Sequence, residues 1–188
     1  MDPGILTTET LVSADELFSH PEWNPCELLR GKVVFMSPAG GEHGGVAAEI
    51  LGLIRDFVKP RKLGKVYAAE TGFFLARDPD TVRAPDVSFI AKHRIPARSP
   101  RGYIPVVPDL TVEVLSPSDT VQDLDKKALE FLEAGVPLVW GVDPITRTGR
   151  VYWRGRPVIV LNESQAFSGE DILPGCEMKL KDIFEPEI

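Results

Sequence analysis

The segment PDLTVEVLSPS, residues 108–118, sets the tightest condition on any fold this chain adopts. It reads as a buried strand over 109–116. Successive side chains of a strand point to opposite faces, so Leu110, Val112 and Val114 share one face and Thr111, Glu113 and Leu115 the other. Glu113 therefore sits in the middle of an apolar run. A lone buried carboxylate is expensive and takes up a proton unless something compensates it: a lysine, hydrogen bonds or a metal ion. The fold has to deliver such a group to residue 113.

Two other residues bear on that requirement. Asp86 opens a second β-rich run, PDVSFIA (85–91), directly after a proline, and poses the same problem. Acids on neighbouring strands can converge on one cation. Mg²⁺ takes one or two carboxylates and keeps several waters, which leaves room for a phosphate. Residues 119–134 read as a helix with Leu124, Ala128 and Phe131 on its apolar stripe and Gly135 as its C-terminal cap. At about 100° per residue, Lys127 falls on the flank of that stripe and Lys126 on the opposite face. Lys127 can lean over the sheet toward an anionic partner, either Glu113 or a substrate phosphate. A purely structural Glu113–Lys127 ion pair satisfies the same pattern.

The remaining elements follow from periodicity and punctuation. Ser13-Ala14-Asp15-Glu16 has capping-box spacing and starts a short helix ending near His20-Pro21. Residues 27–36 read as a hairpin turning at Arg30-Gly31, and SPAGGEHGG (37–45) as a loop by composition. VAAEILGLIRDFVK (46–59) has helical spacing, and 65–76 reads as one strand. An apolar strand at 137–144, a hairpin over 149–161 turning at Arg154-Gly155, and a tail of short strand or turn complete the chain. The order of helix, strands, helix, strands predicts an α/β or α+β domain with a central mixed β-sheet.

The chain's 188 residues suit one domain. No apolar run approaches the roughly 20 residues of a membrane span, and MDPGILTTETL lacks the pattern of a secretory signal. Cys26 and Cys176 are too few for a disulfide framework, so a reducing cytoplasm is expected. A net charge of −7 argues against non-specific coating of nucleic acid, but not against a nuclease whose carboxylates hold a cation. Two basic segments, KPRKLGK (59–65) and KHRIPARSPR (92–101), read as solvated loops.

The segments CELLRGKVVFMSPAGGEHG, VRAPDVSFI, PDLTVEVLSPSD, DLDKKALEFLEAGVPLVWGVDP and ILPGCEMKL occur in this order. Together they resemble the Uma family of restriction endonucleases, a branch of the PD-(D/E)XK nuclease superfamily, over roughly residues 12–184. The resemblance implies a restriction-endonuclease-like core, a mixed sheet flanked by helices, and Mg²⁺-dependent phosphodiester hydrolysis of DNA, with Mn²⁺ as a substitute ion. It matches Asp86 to the superfamily's first acid and Glu113 to its second. The superfamily lysine stands two residues after that glutamate, where this chain has Leu115; Lys127 matches a lysine moved to the following helix. Glu27 matches a further family glutamate, as metal ligand or water-positioning base. His43 also matches a family position, with a structural hydrogen bond as plausible a role as catalysis.

The implied roles are Asp86 and Glu113 as metal ligands, Lys127 as the cation facing the transition state, and Glu27 as base or outer ligand. Two alternatives fit the same residues: a nuclease fold without catalysis that serves as a binding or oligomerisation module, and a metal-dependent hydrolase of a small phosphate compound. Cutting both strands of a duplex suits a homodimer, and the apolar hairpin at 149–161 offers an edge for pairing.

Overall fold

The computed structural model describes residues 11–98 and 100–185. The N-terminal stretch in which no secretory signal is read lies almost wholly outside them. Helix α1 (Ala14–Ser19) begins where expected, with the Ser13 side chain accepting from the Glu16 amide at 3.1 Å. Strands β1 (Cys26–Leu29) and β2 (Lys32–Phe35) form the expected hairpin. Its two turn residues, Arg30 and Gly31, have φ of 50° and 76°, the left-handed pair that a two-residue connection needs.

Helix α2 (Gly41–Arg61) starts five residues before the predicted 46, inside the glycine-rich stretch that composition marks as loop. Each glycine in a helix costs about 1 kcal/mol against alanine. The first turn is nevertheless helical, with Gly44 N donating to Gly40 O at 3.0 Å. The predicted strand over 65–76 is two strands, β3 (Gly64–Ala68) and β4 (Phe73–Ala76), which belong to different sheets. The chain turns between them at Glu70, whose φ is 63°. Strand β5 (Thr81–Arg83), too short to show in periodicity, is buried throughout. Strands β6 (Val87–Ala91) and β7 (Leu110–Val114), helix α3 (Val121–Ala134) and strand β8 (Leu138–Asp143) follow within a few residues of expectation. Helix α3 is bounded by a Thr120–Asp123 capping box and by Gly135 at φ 104°. Strands β9 (Thr148–Trp153) and β10 (Ile159–Leu161) pair as the second hairpin. Strands β11 (Ala166–Ser168) and β12 (Glu177–Lys179) and helix α4 (Leu180–Phe184) form the tail.

The protein is α+β. A six-stranded mixed sheet runs β10-β9-β8-β7-β6-β3, parallel between β7 and β8 and antiparallel elsewhere. A four-stranded antiparallel sheet, β2-β1-β5-β4, stands beside it. The central sheet is covered on both faces. Ile50, Ile54 and Val58 of α2 pack with Val112, Val114 and Trp140. On the other face Leu124, Ala128 and Phe131 of α3 pack with Leu115, Val139 and Tyr152. Glu113 follows the alternation of its strand and emerges on the α3 face. No helix among the described residues is long and apolar enough to cross a membrane.

Edge strand β3 approaches β6 closely at Gly64, where a β-carbon would stand 2.1 Å from the Ile90 carbonyl oxygen. Backbone cannot swing aside as a side chain does, so Gly64→Ala should lower stability by about 1–3 kcal/mol. A urea midpoint equal to that of the parent chain would contradict this.

Candidate active site

The ladder between β6 and β7 ends at the pair Val87–Val112. Beyond it the strands part. The Val114 amide donates instead to Asp86 Oδ2 at 2.8 Å, so a side chain continues the ladder for one residue. This fastens Asp86 beside Glu113. His43, in the first turn of α2, brings Nε2 to 3.3 Å from the same Asp86 oxygen. The unexpected helical start of α2 is thus what carries His43 to the site.

Glu113 is 6% exposed and sits opposite Gly141 of β8. A β-carbon at Gly141 would stand 2.6 Å from Leu124 Cδ2, so its absence lets α3 lie close to the sheet. From α3, Lys127 Nζ donates to Glu113 Oε2 at 2.8 Å and stands 3.7 Å from Glu27 Oε1. Lys126 points to water, as helical spacing requires. Glu113 Oε1 is buried and has no partner among the described residues; neither has His43 Nδ1.

Glu27, on β1 of the second sheet, is held at both oxygens. Arg83 Nη1 donates to Oε2 at 2.5 Å and the Ala84 amide to Oε1 at 2.9 Å. The other edge of the Arg83 guanidinium donates to Glu130 Oε2, through Nε at 3.2 Å and through Nη2. Glu130 lies three residues beyond Lys127 on α3, so one buried arginine ties the second sheet to the helix that carries the lysine. Sequence reasoning missed both residues. The signal for Glu130 was its i,i+3 spacing from Lys127, which puts both on one flank. Arg83 had only its place three residues before Asp86.

The electrostatics follow from burial and like charge. Burial pushes the Glu113 carboxyl up, and Asp86 and Glu27 add to this against the pull of Lys127, leaving it at about 8. Lys127 is itself raised: burial disfavours its charge, but Glu113 and Glu27 outweigh that. For Glu27 burial also acts upward, and Lys127, Arg83 and the Ala84 amide overcome it, holding the carboxyl below its usual range. The hydrogen bond to Asp86 raises His43 against a smaller opposing effect of burial.

The structure thus brings Glu27, His43, Asp86, Glu113 and Lys127 to one end of β7. The carboxylates do not form a three-ligand set: among the described residues no three His, Cys, Asp or Glu side chains are grouped to hold one ion. Lys127 and Arg83 stand in contact with Glu27, where the resemblance implied a further ligand. What remains suited to a cation is the oxygen-only pair of Asp86 and Glu113, the latter with a buried, unpartnered oxygen. That donor set fits a hard ion such as Mg²⁺, which needs no more than two carboxylates.

A family model described as "Uma2: Putative restriction endonuclease" matches residues 14–181. A crystal structure titled "a putative nuclease belonging to DUF820", from Anabaena variabilis, has a TM-score of 0.79 and 26% sequence identity to this chain. The alignment covers 92% of this chain and 97% of that one. No curated protein matches.

Two outcomes are expected from this geometry. Burial, with Asp86 and Glu27 beside it, raises Glu113 to about 8 in the folded chain, against 4.5 for the free group. The folded state then binds more protons between those values, and stability falls as pH rises from about 5 to 8. Glu113→Gln should flatten that decline in thermal melts, leaving the smaller slope owed to His43; an unchanged slope would contradict the assignment. Arg83→Met leaves the Glu27 carboxylate short of a buried partner and should cost about 3–5 kcal/mol in denaturant unfolding.

Proposed function

Because the chain belongs to the Uma2 family, we propose that it is a cytoplasmic, Mg²⁺-dependent endonuclease that hydrolyses phosphodiester bonds in DNA. The observation that carries this reading is the buried, unpartnered Glu113 Oε1, crowded by Asp86 and Glu27 and faced by Lys127. A carboxylate in that position calls for a cation.

Asp86 and Glu113 are the residues that would hold the ion, with Mn²⁺ able to use the same oxygen donors. When bound, Mg²⁺ supplies Lewis-acid stabilisation of phosphate charge and makes water a stronger acid. The chain's own groups do the rest. The Val114 amide and His43 Nε2 fix the orientation of Asp86. Lys127, with its side chain 25% exposed, presents a fixed ammonium to charge that builds on the phosphate oxygens. Both Glu27 oxygens are engaged, so Glu27 acts from outside the ligand set, holding Lys127 and Arg83 in register. Cutting both strands of a duplex suits two sites, so the active form in this reading is a homodimer. The exposed apolar edge at Ile159 and Val160 is the surface offered.

A second reading has one observation in its favour. The 2.8 Å pair of Lys127 and Glu113 partly satisfies itself, as a structural ion pair in a non-catalytic module does. Cleavage of a duplex with and without Mg²⁺ separates the two. The parent chain should cut only with the ion. Asp86→Asn and Lys127→Met should each lose at least 100-fold in rate (roughly 3 kcal/mol of barrier) with circular dichroism unchanged. Full activity in both variants, or none in the parent chain at any divalent ion, rejects the nuclease reading.

A further inference from the structure

The segments 59–65 and 92–101 carry eight of the chain's 21 Lys and Arg and none of its 28 Asp and Glu. Far apart in sequence, they are joined by the fold. Helix α2 ends through Lys59 and Arg61, Lys62 caps it, and β3 begins at Gly64. Pairing of β3 with β6 sets Gly64 against Ala91 and Lys65 against Ile90, and the Lys92 amide donates to Leu63 O at 2.8 Å. Lys59, Arg61, Lys62, Lys65 and Lys92 are all exposed at this one edge. Among the described residues Arg94 is the member of the eight that meets a carboxylate, Asp109 at 2.5 Å.

Like charges gathered this way repel one another, and in a chain of net charge −7 the acids to neutralise them exist but are placed elsewhere. A repeated anion would relieve that repulsion. Strand β6 gives the distance to the candidate site. Asp86 precedes its first residue and Lys92 follows its last. Six residues at about 3.3 Å each span about 20 Å, and DNA advances about 3.4 Å per base pair.

We propose that this edge is a phosphate-backbone surface for the DNA duplex about six base pairs from the cleavage point. The distance rests on the nuclease reading of the Asp86 site; the binding of duplex by the basic edge does not. The surface adds affinity without touching the chemistry, since among the described residues none of its cations contacts Glu113, Asp86 or Lys127.

The test uses the full chain and Lys59→Gln/Lys65→Gln/Lys92→Gln, three exposed positions whose loss should leave the melting temperature unchanged. Binding of 20-base-pair and 6-base-pair duplexes is measured by anisotropy in EDTA between 50 and 200 mM KCl. For the long duplex the triple variant should bind about 10-fold more weakly at 50 mM. Its salt slope should fall by roughly 2–3, at about 0.9 for each phosphate the variant no longer neutralises. The short duplex can sit on the basic edge alone, so the variant should bind it more weakly as well. With Mg²⁺, the variant's KM should rise while kcat stays within about twofold. Arg156→Gln, a cation outside both segments, should behave as the parent chain.

Equal affinity and slope for parent and variant on the long duplex overturn the proposal. So does a loss confined to anionic phospholipid vesicles or to a poly-glutamate peptide. The expected binding differences without any cleavage would sink the nuclease reading and leave the surface standing. Cleavage with no binding difference does the reverse.

Discussion

The arrangement depends on one demand: a carboxylate taken out of water at Glu113 must be met by positive charge. Lys127 meets it at 2.8 Å, and the neighbouring packing fixes where that lysine can be. Gly141 lets α3 settle on β8. The capping box at Thr120 and the glycine at 135 set the length of the helix. Tyr152 donates to Asp125 Oδ1 at 2.8 Å, which fixes the helix's rotation two residues before the lysine. A rotation of about 100° would present Lys126 to the sheet instead. The apolar stripe of Leu124, Ala128 and Phe131 excludes that rotation, because it would bring buried side chains to the surface.

The same end of the sheet is where backbone regularity is given up. Strands β6 and β7 pair up to Val87–Val112 and then separate, and the Val114 amide is satisfied by an aspartate rather than a carbonyl. A regular ladder would have left no room for a carboxylate between the strands. The opening gives Asp86 a fixed orientation, and it leaves Glu113 Oε1 and His43 Nδ1 without partners among the described residues. Buried polar groups are nearly always hydrogen-bonded; among the described residues five such side-chain atoms lack a partner, and Glu113 Oε1 and His43 Nδ1, both in this cluster, are the two on titratable groups.

The parts legible in the sequence were those set by local rules. Alternation placed Glu113 on the face opposite Leu110, Val112 and Val114, helical spacing separated Lys127 from Lys126, and Arg30-Gly31 announced its turn. The parts that were not legible depend on distant contacts. Glycines 41, 44 and 45 speak against helix, yet α2 starts there, and its first turn delivers His43 to Asp86. Residues 65–76 look like one strand because both halves are β-rich; only the left-handed Glu70 between them, and pairing to different sheets, divides them. Strand β5 is three residues long, below the reach of any period. Arg83 lies on it, so the residue that joins Glu27 to Glu130 was hidden with its strand.

Net charge is the measure that misleads most here. A value of −7 averages over acids spread along the chain and two basic segments that contain no acid of their own. Two rigid elements, α2 and β6, run from the neighbourhood of Asp86 to the edge those segments form, so the two ends cannot collapse on one another. At the acid end burial, with Asp86 and Glu27 adding to it, pushes Glu113 up to about 8. Among the described residues the exposed lysines of the basic end have no carboxylate partner. Each end is costly alone, and the costs have opposite sign. In the nuclease reading, a ligand that carries cation and polyanion together, as a nucleic acid with its counterions does, would relieve both without any movement of the fold.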